Sequence, residues 1–230
     1  MSFKQFTKEL NSKDGSRVEG ELVKTMLYSL ITSFIILGVL YYVKLKSIQD
    51  FIPKYGYFLF FAAISYALVI ASIRQIRAYK QFACMSGMMI GMTTGMIAGF
   101  LAAFYVGATN GMFIGSVSGM FVGIILGVWL GSCCGVMGFM EGIMAGFMGS
   151  LMGGMTAVMM INDNLKIAAV IIFIVSSIIL IALNYMVYLE TRENERQLKE
   201  DHSLTIIITI ILISITTWVM IFGPRSALFG

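Results

Sequence analysis

The chain has 230 residues, of which 58% are hydrophobic and 12% charged, with a formal net charge of +4 and a mean hydropathy of +0.88. A soluble domain carries about 25% charged residues, so this composition excludes an ordinary water-solvated globule and points to a chain solvated by lipid. The small net charge gives no reason to expect nucleic acid; in such a chain lysine and arginine report orientation instead.

Residues 1–24 are polar and of mixed charge, with Lys4, Lys8, Lys13, Arg17 and Lys24 set against Glu9, Asp14, Glu19 and Glu21. They lack the apolar stretch of a cleavable signal peptide, so Met1 is expected to begin the mature protein. A crossing takes about 20 predominantly apolar residues. The predicted spans are 25–43, 57–73, 81–105 and 111–130, the last two separated by the small polar patch Gly107, Ala108, Thr109 and Asn110. The apolar run then continues to Ile161, which is too long for one crossing at ~1.5 Å per residue. A break at "GSCCG", 131–135, yields a fifth span over 136–160. Asn162, Asp163 and Asn164 signal a loop, and spans six and seven follow at 167–188 and 204–222.

The expected fold is therefore an all-α polytopic membrane protein of about seven transmembrane helices. It divides into a polar N-terminal segment (1–24), two spans (25–80), a Gly/Met-rich three-helix core (81–161), and two spans with a charged connection at 190–203 (162–230). In that layout eleven lysines and arginines lie on the side of the N-terminus. Five (Lys44, Lys46, Lys54, Lys166, Arg225) lie on the other. The excess predicts a cytoplasmic N-terminus in a multi-pass cell-membrane protein.

Glycine recurs at every fourth position through Gly87, Gly91, Gly95 and Gly99, and again through Gly115, Gly119, Gly123 and Gly127. A second register runs through Gly138, Gly142 and Gly146. Residues four apart stack on one helical face, so each run is a strip without side chains, the small-xxx-small pattern for close helix approach in lipid. The hexapeptides "GMIAGF" (95–100) and "GIMAGF" (142–147) are alike, which suggests that spans three and five descend from a duplication.

Methionine follows the same period at 88, 92 and 96 and at 140, 144, 148 and 152. It serves either as flexible apolar filler beside glycine or as a soft thioether ligand suited to Cu(I). MxxxM with GxxxG on membrane helices resembles the CTR-type copper transporters over these short motifs. That family has three spans per subunit and a methionine-rich extracellular tail, whereas seven spans are expected here and the N-terminal segment has no methionine after Met1.

Helical spacing places Cys134, Met137, Glu141, Met144, Ala145 and Met148 on one stripe of the fifth span, beside the glycine line, with no lysine or arginine between Lys80 and Lys166. An acidic side chain within a bilayer is costly and commonly faces a bundle interior. The stripe is thus a candidate lining for a cation path or a soft-metal site, copper being the ion such ligands suit, with Glu141 as ligand or proton carrier. The opposing possibility is a protonated Glu141 bonded to a neighbouring helix through a carbonyl or through Thr93, Thr94, Ser116 or Ser118.

Cys133 and Cys134 are vicinal and form no CxxC motif, Cys84 begins the third span, and His202, the one histidine, sits in the charged connection. No phosphate-binding GxxxxGK[ST] loop, Ser/His/Asp arrangement or HExxH motif occurs, so neither a nucleotide nor an enzymatic activity is expected. The leading expectation is a small transporter or channel; the alternative is a scaffold or accessory subunit that packs against a membrane-protein partner, or against its own copies, through the glycine seams.

Overall fold

The computed structural model of the chain describes residues 19–43, 55–79, 82–191 and 202–224. Seven long helices occupy them: α1 (Glu19–Val43), α2 (Tyr57–Arg77), α3 (Cys84–Asn110), α4 (Met112–Gly131), α5 (Val136–Met159), α6 (Leu165–Thr191) and α7 (His202–Phe222). Each is long and apolar enough to cross a bilayer. A chain whose backbone polar groups are satisfied within its own helices, and whose outer faces are isoleucine, phenylalanine and methionine, is an integral multi-pass membrane protein.

The helix boundaries depart from the predicted ones in two informative places. The patch at 107–110 is not a separator: α3 runs on through Asn110, and the reversal is made by Gly111 alone, at φ 106°. Polar residues are tolerated in this last turn because their groups are satisfied. Thr109 donates to the Val106 carbonyl and to Asn110 Oδ1, and Asn110 Nδ2 donates to the carbonyls of Val219 and Gly223 at 2.8 and 3.2 Å. One amide therefore ends α3 and ties it to the C-terminus of α7. The second departure is at the other end of the chain, where α1 begins at Glu19, so Glu21 belongs to a helix rather than to a solvated leader. The break at 131–135 forms as a short 3₁₀ turn, Ser132–Cys134, closed by Gly135 at φ 70°. The basic 44–54 connection, the 192–201 part of the charged connection, and the first 18 residues lie outside the described residues.

Two tiers of helices result. α3, α4 and α5 pack on one another more tightly than any other helices, and at their contacts glycine faces backbone. A Cβ at Gly95 would lie 3.0 Å from Cα of Gly127, one at Gly123 would lie 2.8 Å from Cα of Gly99, and one at Gly127 would lie 2.7 Å from the carbonyl oxygen of Gly142. The two similar hexapeptides occupy equivalent places: Gly95 and Gly142 both meet Gly127, and Gly99 and Gly146 both meet Gly123. α3 and α5 thus flank α4 in the same register.

The outer tier is organised by α2, which is buried along most of its length and packs on α1, α3, α6 and α7. Tyr66 and Ile70 on α2 and Leu101 and Tyr105 on α3 are among the most buried side chains. Within this apolar contact Ser65 Oγ and Tyr105 OH share a hydrogen bond of 2.8 Å. A second inter-helix bond, Ser29 to Thr209 at 3.1 Å, joins α1 to α7. Buried polar groups must be paired to be tolerated in such surroundings, so these contacts fix helix register as well as proximity.

Candidate functional site

The predicted stripe lies on α5 and its leading turn. Met137, Met144 and Met148 are 64%, 55% and 53% exposed, and Glu141 is partly exposed. Gly138, Gly142, Ala145 and Gly146 are buried. The face carrying the thioethers therefore points out of the molecule, and the glycine face points into the core. Cys134 stands apart from the methionines, in the 3₁₀ turn against α3.

Glu141 is also shallower than the apolar run suggested. α5 begins after Gly135, so Glu141 is its sixth residue and stands about 8 Å from the start of the helix. With 24 residues α5 is about 36 Å long, against a hydrocarbon thickness of ~30 Å. The carboxyl thus stands within two turns of the 132–134 end of the helix. Among the described residues no three histidine, cysteine, aspartate or glutamate side chains converge to hold a metal ion.

In the core the three central helices meet at glycine. Gly127 contacts both Gly95 and Gly142, and Gly123 contacts both Gly99 and Gly146, so the three backbones meet along their common axis. Any further lining side chain there would need space that a single Cβ already exceeds.

The polar groups that sequence reasoning left unassembled converge at one end of the bundle, where α2 ends, α3 and α5 begin, and α6 ends. Arg74, only 4% exposed, donates to Glu21 Oε2 at 2.8 Å. Gln75 Nε2 donates to the Asn184 carbonyl, and the Arg77 guanidinium lies 4.6 Å over the Trp129 ring. The Ala83 amide donates to Glu190 Oε1 at 2.6 Å, which satisfies a free N–H at the head of α3 and places a carboxylate at the positive end of its dipole. All three cysteines lie here. Cys134 Sγ donates to the Cys84 carbonyl at 2.6 Å, Cys84 Sγ approaches the Cys134 carbonyl at 3.9 Å, and Cys133 Sγ donates to the Leu130 carbonyl.

No family model, curated protein or solved structure matches the chain.

Arginine and glutamate spaced 53 residues apart carry no sequence pattern that would pair them. The available signal was Arg74 itself, three residues inside the end of an apolar helix, where an isolated cation demands a partner. For the cysteines the signal was topological: alternating spans put residues 84 and 133–134 on one side of the bundle.

Proposed function

We propose that the chain is a non-transporting membrane scaffold or accessory subunit, with its N-terminus cytoplasmic, that meets another membrane protein through the outer face of α5. The observation that carries this reading is an asymmetry between two equivalent helices. α3 and α5 flank α4 in the same register, yet α3 is covered on its far side by α2, α6 and α7, while among the described residues α5 packs closely only with α3, α4 and the turn before it. The uncovered face of α5 carries Met137, Met140, Met144, Met148 and Met152, and Glu141 beside them. A methionine surface adapts to irregular partners, and a carboxyl group at this depth is less costly when a neighbouring helix supplies a hydrogen bond than when lipid surrounds it. The glycine repeats, in this reading, let three helices of one chain associate in the bilayer; they are occupied within the chain and not offered to a partner.

A photo-crosslinking amino acid placed at Met144 or Met148 in native membranes is expected to give a discrete protein adduct, while the same probe at Ile178 on α6 gives none. Mass spectrometry then tells a second copy from another protein. Absence of a protein adduct from both α5 positions counts against the proposal.

Soft-cation transport is the second reading, favoured by one observation: Met137, Met144 and Met148 stay open and aligned on one side of α5 with Glu141. Because the three central backbones are in contact, such a path would run between subunits. It requires a stoichiometric soft metal in the purified protein that is lost in Met144→Leu and Met148→Leu, and cation flux in proteoliposomes that is lost in Glu141→Gln.

A further inference from the structure

Cys84 is the first residue of α3 and Cys134 the last of the 3₁₀ turn between α4 and α5. Fifty residues separate them in sequence, yet each thiol reaches toward the other's carbonyl, Cys134 Sγ at 2.6 Å from Cys84 O and Cys84 Sγ at 3.9 Å from Cys134 O. The packing around them is tight on the helix side: a Cβ at Gly87, one turn into α3, would lie 3.0 Å from Cys134 Sγ and 2.9 Å from Cys133 Sγ. On the other side the cluster is open, with Cys84 exposed and Cys134 partly so. Both residues end predicted membrane-crossing segments, where water-borne reagents reach them. Cys133 Sγ also faces Gly87, and it donates to the Leu130 carbonyl in the last turn of α4.

We propose that Cys84 and Cys134 are a reversible oxidation site that closes into a disulfide on reaction with a low-molecular-weight disulfide of the glutathione class. The more exposed Cys84 thiolate attacks one sulfur of the small disulfide and expels one thiolate, leaving a mixed disulfide. The Cys134 thiolate then attacks the Cys84 sulfur and expels the second. Two protein thiols are oxidised and one small disulfide is reduced; the two protons lost by the protein thiols pass through solvent to the two expelled thiolates, which become thiols. The bond joins the head of α3 to the α4–α5 turn and closes α3 and α4 into one covalent loop, from which α5 leads on. In the orientation proposed above, which puts this end of the bundle on the cytoplasmic side, the pair stays reduced under ordinary conditions, and an accessible disulfide in that compartment is of the labile, signalling kind.

The test uses the full-length protein in nanodiscs, treated with oxidised glutathione, quenched by alkylation and analysed by intact mass and peptide mapping. Wild type is expected to lose two hydrogens in mass, to retain one alkylatable thiol, and to yield a peptide linking residues 84 and 134. Cys133→Ser behaves alike, Cys134→Ser stops at a glutathione adduct on Cys84, and dithiothreitol reverses the wild-type product. Accumulation of glutathione adducts on wild type without the internal bond overturns the proposal. So does an internal bond that persists in Cys84→Ser, which would mark a vicinal Cys133–Cys134 ring. Retention of all three free thiols overturns it equally.

Discussion

Replacing Gly127 by alanine perturbs the point at which the three central helices meet. A Cβ there would stand 2.7 Å from the Gly142 carbonyl oxygen and 3.1 Å from Cα of both Gly142 and Gly95. Carbon atoms need about 3.5–4.0 Å, so α4 has to withdraw from α3 and α5 by about 0.5–1 Å, a gap that forfeits a quarter to a half of the dispersion energy at each facing atom pair. Overpacking of this kind costs about 1–3 kcal/mol. Alanine recovers up to about 1 kcal/mol of helix propensity, and less in lipid, where an exposed helical backbone has no water to bond instead. The expected net effect is a loss of about 1–2 kcal/mol. Gly38 on α1 is the internal control, since nothing lies within 4 Å of a Cβ built there; Gly38→Ala keeps the propensity gain without the clash and is expected to be neutral or slightly stabilising. Reversible unfolding in mixed micelles, followed by far-ultraviolet circular dichroism, should rank Gly38→Ala at or above wild type and Gly127→Ala below it, with Gly127→Leu lower still. A Gly127→Ala protein as stable as Gly38→Ala would refute the reasoning that backbone contact at this point holds the core together.

Three further outcomes follow from local geometry. Gly135 has open space around it but sits at φ 70°, ψ −147°, a region that side chains rarely adopt. Gly135→Ala is therefore expected to cost about 1–3 kcal/mol in the same unfolding assay, from backbone strain alone. Asn110→Leu removes the two hydrogen bonds to Val219 and Gly223 and should cost about 1–3 kcal/mol. It should also speed amide hydrogen exchange in the last turn of α7 without affecting α5. Glu21→Gln removes the carboxylate that lies 2.8 Å from the buried Arg74 guanidinium. Breaking a buried pair this way costs up to about 3–5 kcal/mol, and replacing both residues by methionine should recover much of it; equal stability of the single and double variants would argue against the pair.

Much of the architecture was legible in the sequence because lipid imposes it. Apolar length marked out the seven long helices, and the four-residue glycine period contains Gly95, Gly123, Gly127 and Gly142, at each of which a Cβ would meet backbone. The end of α3 was misjudged because Thr109 and Asn110 read as loop formers in water, whereas here the Val106, Val219 and Gly223 carbonyls accept their hydrogen bonds. The candidate stripe was readable as a stripe but not as inside or outside. Gly138 and Met137 are neighbours on one helix, and periodicity alone does not say which of two apolar faces meets protein when both are compatible with lipid. The convergence of Cys84 with Cys134, and of Arg74 with Glu21, depends on how separate helices are brought together, which no local pattern encodes.

The opposite fates of glycine and methionine on α5 bear directly on function. Both repeat every four residues, and the fold puts the glycines where backbone meets backbone and leaves seven methionines, Met137, Met140, Met144, Met148, Met152, Met155 and Met159, exposed. Lipid gives no reason for that choice. Leucine fills an acyl environment as well as methionine and forms helix equally readily, and on α6 the outward positions are isoleucine and valine. Methionine differs in its unbranched, polarizable side chain, which matters against an irregular protein surface or a soft ion and matters little against fluid hydrocarbon. α3, the equivalent helix, has its corresponding side covered by the chain's own α2, α6 and α7. Among the described residues no helix beyond α3 and α4 packs closely on α5. The proposed partner contact rests on that outer face, and the proposed oxidation site on the polar end around Arg74, Glu190 and the cysteines.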